Sequence, residues 1–255
     1  MGSQVPASTR FAGDIEERDT RATNRPLGWT SIAESHQQMT TSQPSADHDR
    51  QQAAEFLAAA LAGSSASLGE LLDRHRNYLV LLATPQLAGV GRKRCSESDL
   101  VQETFLEAAR DFVAFRGTTL PQFQAWLRRI LSNNMLAFLE RHVWADKRDV
   151  RREQSLHTVA ASLDHSVVRL ESFVVGPMDS PSECAMRRED ELRIADAIAS
   201  LPEDYREIIV LRTFQGLSFD DAASSMGRTA GALRMLWMRA LKLLETRLTG
   251  DGPND

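Results

Sequence analysis

Three groups of side chains in this sequence have types and spacing that could do chemistry, and the chemistry they share is recognition. Asp99, Gln102 and Glu103 fall at i, i+3 and i+4, so one face of a helix would present two carboxylates and an amide. Arg128, Arg129, Asn133 and Arg141 bring cations and an amide to a second segment, just beyond the short loop Gly117, Thr118, Thr119. Arg228, Thr229, Arg234, Met238 and Lys242 form a third group immediately after Gly227. Arginine and lysine bind phosphate oxygens, an arginine fork pairs with guanine, and an asparagine amide pairs with a base edge. The sequence therefore offers two places to hold a polyanion and an acidic face set apart from both. Spacing alone leaves that acidic face open to two readings, a solvated surface or a dock for a basic partner.

A formal net charge of −5 would speak against nucleic acid if charge were spread evenly, but it is segregated. Acidic residues gather in Glu97–Glu107, Glu183–Glu191 and Glu203–Glu207, and basic ones in Arg128–Arg152 and Arg228–Arg247. Catalytic patterns are missing from the sequence: it has no G-x-x-x-x-G-K-[ST] loop, no H-E-x-x-H and no G-x-S-x-G. His75, His142 and His157 belong to no ligand set, and Cys95 and Cys184 stand far apart outside any C-x-x-C pair. No enzyme activity, metal or cofactor is expected, and the two lone thiols suit a reducing cytoplasm. No apolar run approaches the roughly 20 residues that cross a bilayer, and Asp14, Glu16, Glu17 and Asp19 occupy the place of a signal sequence. A cytoplasmic protein without a membrane partner is expected.

Helices must position these groups, since no segment alternates as a strand. Phe56, Leu57, Ala60 and Leu61 make a first apolar stripe. Ser67–Glu70 reads as a capping box opening a helix with Leu68, Leu71, Leu72, Tyr78, Leu79 and Leu82, and Ser96–Asp99 as a second start before Leu100, Val101, Phe105, Ala108 and Phe112. Gly117 ends that stretch, and Pro121 suits the first turn of the next helix. Phe123 and Trp126 are tempting as base-stacking platforms, but they recur with Ile130 at helical spacing and read as core. Residues 150–182 have weak periodicity, punctuated by Gly176-Pro177 and Ser180-Pro181, and read as a linker. Four helical segments follow, ending in a short helix, a turn at Gly227 and a long basic helix capped by Thr229, which is the helix-turn-helix layout. Leu233, Leu236, Trp237, Ala240, Leu244 and Leu248 form its core face, Met235 reads as packing, and Arg234, Met238, Lys242 and Glu245 lie on another face. The expected fold class is all-α, with helical domains at 51–149 and 183–249 joined by a flexible linker. Residues 1–50 and 250–255 are expected to be disordered tails, and Met39 is a plausible alternative start.

These motifs together resemble the sigma-70 family of RNA polymerase sigma factors, in its extracytoplasmic-function branch. Asp99-Leu-Val-Gln-Glu-Thr-Phe105 is similar to the conserved segment that docks on the clamp helices of the largest polymerase subunit. Phe115-Arg-Gly117, Phe123-Gln-Ala-Trp-Leu-Arg-Arg-Ile130 and Asn133 resemble the adjoining segment that melts and reads minus-ten DNA. The stretches Leu201–Arg212 and Gly216–Ala223 resemble the region that reads the minus-thirty-five element. The resemblance spans about 53–149 and 183–248. It implies that Asp99, Gln102 and Glu103 bind core polymerase. It implies also that Gly117, Thr118, Thr119, Arg129, Asn133 and Arg141 serve minus-ten DNA, the loop capturing a flipped base. Arg228, Thr229, Arg234, Met238 and Lys242 would serve minus-thirty-five DNA. The partners implied are core RNA polymerase and promoter DNA, with room for an anti-sigma factor. Three departures stand out: Ala137 replaces a polar or acidic residue, Ala232 a frequent threonine, and Met235-Leu236 a small-polar-then-basic pair. No minus-thirty-five consensus is therefore carried over. The alternative is a stand-alone helix-turn-helix regulator that binds DNA without polymerase.

Overall fold

The computed structural model describes residues 44–87, 96–142, 152–171, 173 and 181–249. Their regular structure is entirely helical: α1 (Pro44–Leu61), α2 (Ser65–Arg74), α3 (Arg76–Leu87), α4 (Glu97–Asp111), α5 (Leu120–His142), α6 (Arg152–Glu171), α7 (Pro181–Ala199), α8 (Glu203–Ile209), α9 (Phe219–Ser225) and α10 (Ala230–Thr249). A 3-10 turn, Phe112–Ala114, follows α4, and a π turn, Val210–Phe214, prolongs α8. The all-α expectation holds.

Local chemistry sets most of the boundaries. Gly63 takes φ +101°, a conformation that side chains with a Cβ rarely adopt, and so turns the chain out of α1. The next residue, Ser64, caps α2, its hydroxyl accepting from the Ser67 amide at 3.2 Å. This corrects the box expected at Ser67–Glu70: once the corner falls at Gly63 the cap must follow it directly, and Ser67 becomes the capped third residue. The second start signal is in place, and the structure makes it a full capping box. Ser96 Oγ accepts from the Asp99 amide at 3.1 Å, and Asp99 Oδ2 accepts from the Ser96 amide at 3.0 Å. Helix α1 begins at Pro44, inside the segment expected to be disordered; residues 1–43, with Met39, and 250–255 lie outside the described residues. Its early turns are tied down from a distance, because Arg74 donates to Gln52 Oε1 at 3.0 Å and to the Asp49 carbonyl at 3.1 Å.

Helix α3 sits at the centre. It buries Tyr78, Leu79, Leu81, Leu82, Ala83 and Leu87, and it packs against α4, α5, α6, α7 and the π turn. A helix that buries this many apolar side chains has to be enclosed over most of its surface, and its polar residues Arg76, Asn77, Thr84 and Gln86 lie at the edges of that enclosure. Part of the enclosure comes from residues expected to be linker, for α6 buries Val159, Leu163, Val167 and Leu170 against α3 and α5. Gln86 of α3 donates to the Ser162 carbonyl and the Ser166 hydroxyl, each at 3.3 Å. Over 152–171 the linker reading is therefore revised. The stripe has about one apolar residue per turn, too few to stand out locally, and it becomes a core only beside α3. Gly176-Pro177 and Ser180, by contrast, lie outside the described residues.

The C-terminal segment closes over the same centre. Helix α7 meets α3 and α5, with Gln124 donating to Glu191 Oε2 at 3.0 Å inside the contact and Asn77 donating to Asp196 Oδ1 at 2.8 Å at its edge. Glu191 is only 1% exposed. Desolvation holds the Asp196 carboxyl above its ordinary pKa, against the bond from Asn77.

Two expectations test this packing. Leu163→Ala should cost about 2–5 kcal/mol in denaturant unfolding, as for other buried leucines; an unchanged midpoint would mean that α6 is not packed. His75 supplies the second. Its ring is buried, Nδ1 lies 2.8 Å from the Leu71 carbonyl, and Phe123 meets it edge-on at 5.4 Å. Burial lowers its pKa from 6.5 to about 4, with a smaller push from Arg74 and opposition from the Leu71 contact. The unfolded chain therefore binds the proton first as pH falls. The stabilisation is complete above about pH 6.5 and is lost progressively towards pH 4, on the order of 3 kcal/mol in all. The unfolding midpoint should drop across that window more steeply in wild type than in His75→Gln, and parallel curves would refute the assignment.

Candidate nucleic-acid interface

The acidic group on α4 is divided between two tasks. Asp99 belongs to the helix cap: bonds from the Ser96 backbone amide and then from its hydroxyl, at 2.9 Å, hold the Asp99 carboxyl below its ordinary pKa. Gln102 and Glu103 are exposed one turn further on. Glu103 faces Arg141 of α5 at 3.7 Å, with both side chains more than half exposed. Leu106, 73% exposed, continues this face.

The loop before α5 is built as a helix cap. Gln122 Oε1 accepts from the amides of Thr118 at 2.8 Å and Thr119 at 3.2 Å, while Thr119 Oγ1 accepts from the Gln122 amide at 3.4 Å. Beneath it lies an aromatic cluster in which Phe115 meets Trp126 at 5.1 Å and Phe123 at 5.8 Å between ring centroids. Phe123 is fully buried, so its place is the core, as its spacing suggested. Gly117 is needed for space rather than for backbone angle. A Cβ there would come within 2.4 Å of Phe115 Cζ and 2.9 Å of Gln122 Cβ.

Along α5, Arg129 and Asn133 are exposed and lie on one stripe with Gln122 and Ala125. Arg128 turns inward and donates to Tyr78 Oη at 2.8 Å. Burial, and then the charge of Glu191, push the Tyr78 phenol above its ordinary pKa. Burial opposes the Arg128 charge, but Tyr78, Glu191 and Asp164 overcome it and keep its pKa above the usual value. Arg141 Nε donates to the Ala137 carbonyl at 3.1 Å, which leans it towards Glu103 and away from the Arg129–Asn133 stripe. A cleft of about 410 Å³ runs between α5 and α6, lined by Arg128, Arg129, Ser132 and Asn133 on one side and by Ala160, Leu163 and Asp164 on the other. Lys147, Arg148 and Arg151 lie outside the described residues.

The third group stands on a helix-turn-helix. Ser218 caps α9 by accepting from the Asp221 amide at 3.1 Å, and Gly227 turns the chain at φ +62°. Thr229 Oγ1 then accepts from the Ala232 amide at 3.2 Å and caps α10. Leu233, Leu236, Trp237, Ala240, Leu241 and Leu244 are buried on this helix, which packs against α7, α8 and α9. Of the five candidates, Thr229 uses its hydroxyl locally, and Arg228 is ion-paired with Asp204. Arg234 stacks its guanidinium over the Phe219 ring at 5.4 Å, while Met238 and Lys242 face solvent. Met235, expected to pack, is 56% exposed. Helical periodicity places it with Gly231, Met238 and Lys242 rather than with the leucines, a signal already present in the spacing.

Comparisons with known proteins place this arrangement. Residues 191–244 match the family model Sigma-70, region 4. The ECF RNA polymerase sigma-E factor of Haemophilus influenzae is 29% identical over 186 residues, which is 73% of this chain and 89% of that protein. The RNA polymerase sigma-H factor of Pseudomonas aeruginosa is 32% identical over 155 residues, which is 59% of this chain and 72% of that protein. The chain belongs to the sigma-70 family, in its extracytoplasmic-function branch. The ECF RNA polymerase sigma factor BldN of Streptomyces coelicolor is also similar, 27% identical over 208 residues, covering 82% of this chain and 70% of that one. In this sigma-70 family member the region 4 match opens at Glu191, the carboxylate buried against Gln124, and runs through all of α8, α9 and most of α10. Among the described residues no helix is long and apolar enough to cross a membrane.

The loop geometry of this family member can be tested at Gly117. Gly117→Ala should displace the Phe115 ring from Trp126, destabilising the fold by about 1–3 kcal/mol and shifting tryptophan emission; an unaltered melt and spectrum would show that the loop has room to spare.

Proposed function

We propose that the protein binds core RNA polymerase through the exposed part of α4 and directs transcription initiation at promoters. In this reading the domain at 51–149 handles minus-ten DNA and the domain at 183–249 handles minus-thirty-five DNA. The observation that supports it best is spatial. Gln102 and Glu103 stand on α4, while the exposed groups suited to DNA stand on two other helices, Arg129 and Asn133 on α5 and Arg234 and Lys242 on α10. Gln102, Glu103 and the capped end of α4 would meet basic clamp residues. Asp99 then contributes chiefly by holding that helix end in shape.

The chemistry asked of the DNA-facing groups is modest. Unpairing and unstacking one base costs a few kcal/mol, and a loop pinned by Gln122 beside Arg129 and Asn133 can receive the base without paying to order itself first. Arg129 and Lys242 would neutralise phosphate and make binding fall with salt. Two weak DNA contacts on one chain gain from effective concentration once polymerase holds both near the promoter. Such a role places the protein in the cytoplasm.

A pull-down of purified core RNA polymerase tests the proposal. Wild type should bind stoichiometrically, and Gln102→Arg/Glu103→Arg should abolish binding with little change in the thermal melt, since both side chains are exposed, Asp99 keeps its cap and the lost Glu103–Arg141 pair is a surface one worth at most about 1 kcal/mol. Failure of wild type to bind core at low salt would overturn the proposal and leave a stand-alone DNA-binding regulator in its place.

A further inference from the structure

With 3.6 residues per turn, Gly231, Met235, Met238 and Lys242 form a single stripe on α10, bounded by Arg234 on one side and Arg239 on the other. Every residue of that set is exposed, Met235 by 56% and Met238 by 53%, and a Cβ on Gly231 would meet nothing within 4 Å. Isolated surface methionines need no explanation, but two successive ones framed by cations on a helix-turn-helix form a patterned surface. The frame tells what should cover it. Arg234, Arg239 and Lys242 favour a polyanion over a neutral or basic protein, and a helix 10–12 Å across fits a major groove about 12 Å wide. In that groove the apolar feature of the bases is the C5-methyl group of thymine. Methionine is flexible and polarisable, so it can follow a methyl on either strand. The polar alternatives near the start of the helix are already engaged: Thr229 caps it, and Arg228 pairs with Asp204.

We infer that α10 reads thymine methyl groups in the upstream promoter element through Met235 and Met238, while Arg234 and Arg239 flank them on phosphates. Gly231 leaves room for the backbone to approach the bases. The helix then selects A·T pairs by apolar contact rather than G·C pairs by arginine forks. This rests on the reading of α10 as the minus-thirty-five helix.

The test uses holoenzyme reconstituted from core polymerase and the full chain, and promoter DNA selected from a pool randomised in the upstream element. Selected elements should be rich in thymine. Replacing a contacted thymine by uracil removes only the methyl group and should lower promoter binding about fourfold per position, the worth of one buried methyl. Met235→Gln/Met238→Gln should bind thymine and uracil templates equally, and Met235→Leu should keep the preference; all these positions are exposed, so the variants should fold. Upstream protection in a footprint with equal binding of thymine and uracil templates would overturn the inference while leaving the minus-thirty-five reading intact. Absence of upstream protection would overturn both.

Discussion

The enclosure of α3 is the constraint on which the rest of the molecule depends. A twelve-residue helix that buries Tyr78, Leu79, Leu81, Leu82, Ala83 and Leu87 cannot be left against water over most of its surface. One flank is covered by α4 and another by α5, which sets the acidic face and the basic stripe at fixed positions on a common core. The remaining sides are covered by α6 and α7, and that brings the C-terminal helices onto the same centre. Pro85 near the end of α3 removes one backbone donor, and the apolar surroundings hold the helix together across it.

Where α7 meets this core the contact is polar as well as apolar. Gln124 donates to Glu191, Arg128 donates to Tyr78, and the charges of Arg128 and Glu191 offset each other in a largely dry seam. A buried carboxylate is tolerable only with such partners, because its desolvation cost is large and geometry must recover it. A seam of this kind contributes less net stability than an equal area of leucine. The contact ties α7 to two helices at once, since Glu191 accepts from Gln124 of α5 and also acts on Tyr78 of α3.

The same residue types are thereby divided between holding the fold and facing outward. Asp99 caps α4, and Gln102 and Glu103 remain exposed. Arg128 is drawn into the seam, and Arg129 beside it stays on the surface. On α10, Thr229 and Arg228 are engaged locally, while Met235, Met238 and Lys242 present an apolar stripe with a cation at its end. Adjacent residues on a helix point about 100° apart, so one position along the chain decides which of these tasks a side chain takes.

Local interactions made much of this legible in the sequence. The Ser96–Asp99 box, the Gly227 turn and the Thr229 cap depend on contacts within a few residues, and the core face of α10 follows from its helical spacing, so sequence order is enough to find them. The two motif sets that resemble the sigma-70 family were legible for the same reason, being short runs of side chains on single helices. What lay beyond sequence was set by partners far along the chain. Arg74 reaching Asp49 and Gln52 anchors α1, Gln86 reaching Ser162 and Ser166 turns an expected linker into part of the core, and Glu191 commits Gln124. No periodicity predicts such pairs, because their energy comes from burial that exists only once the helices have met. Sequence alone therefore determined which helices form and which side chains share a face, and tertiary packing decided which of those faces were left for a partner.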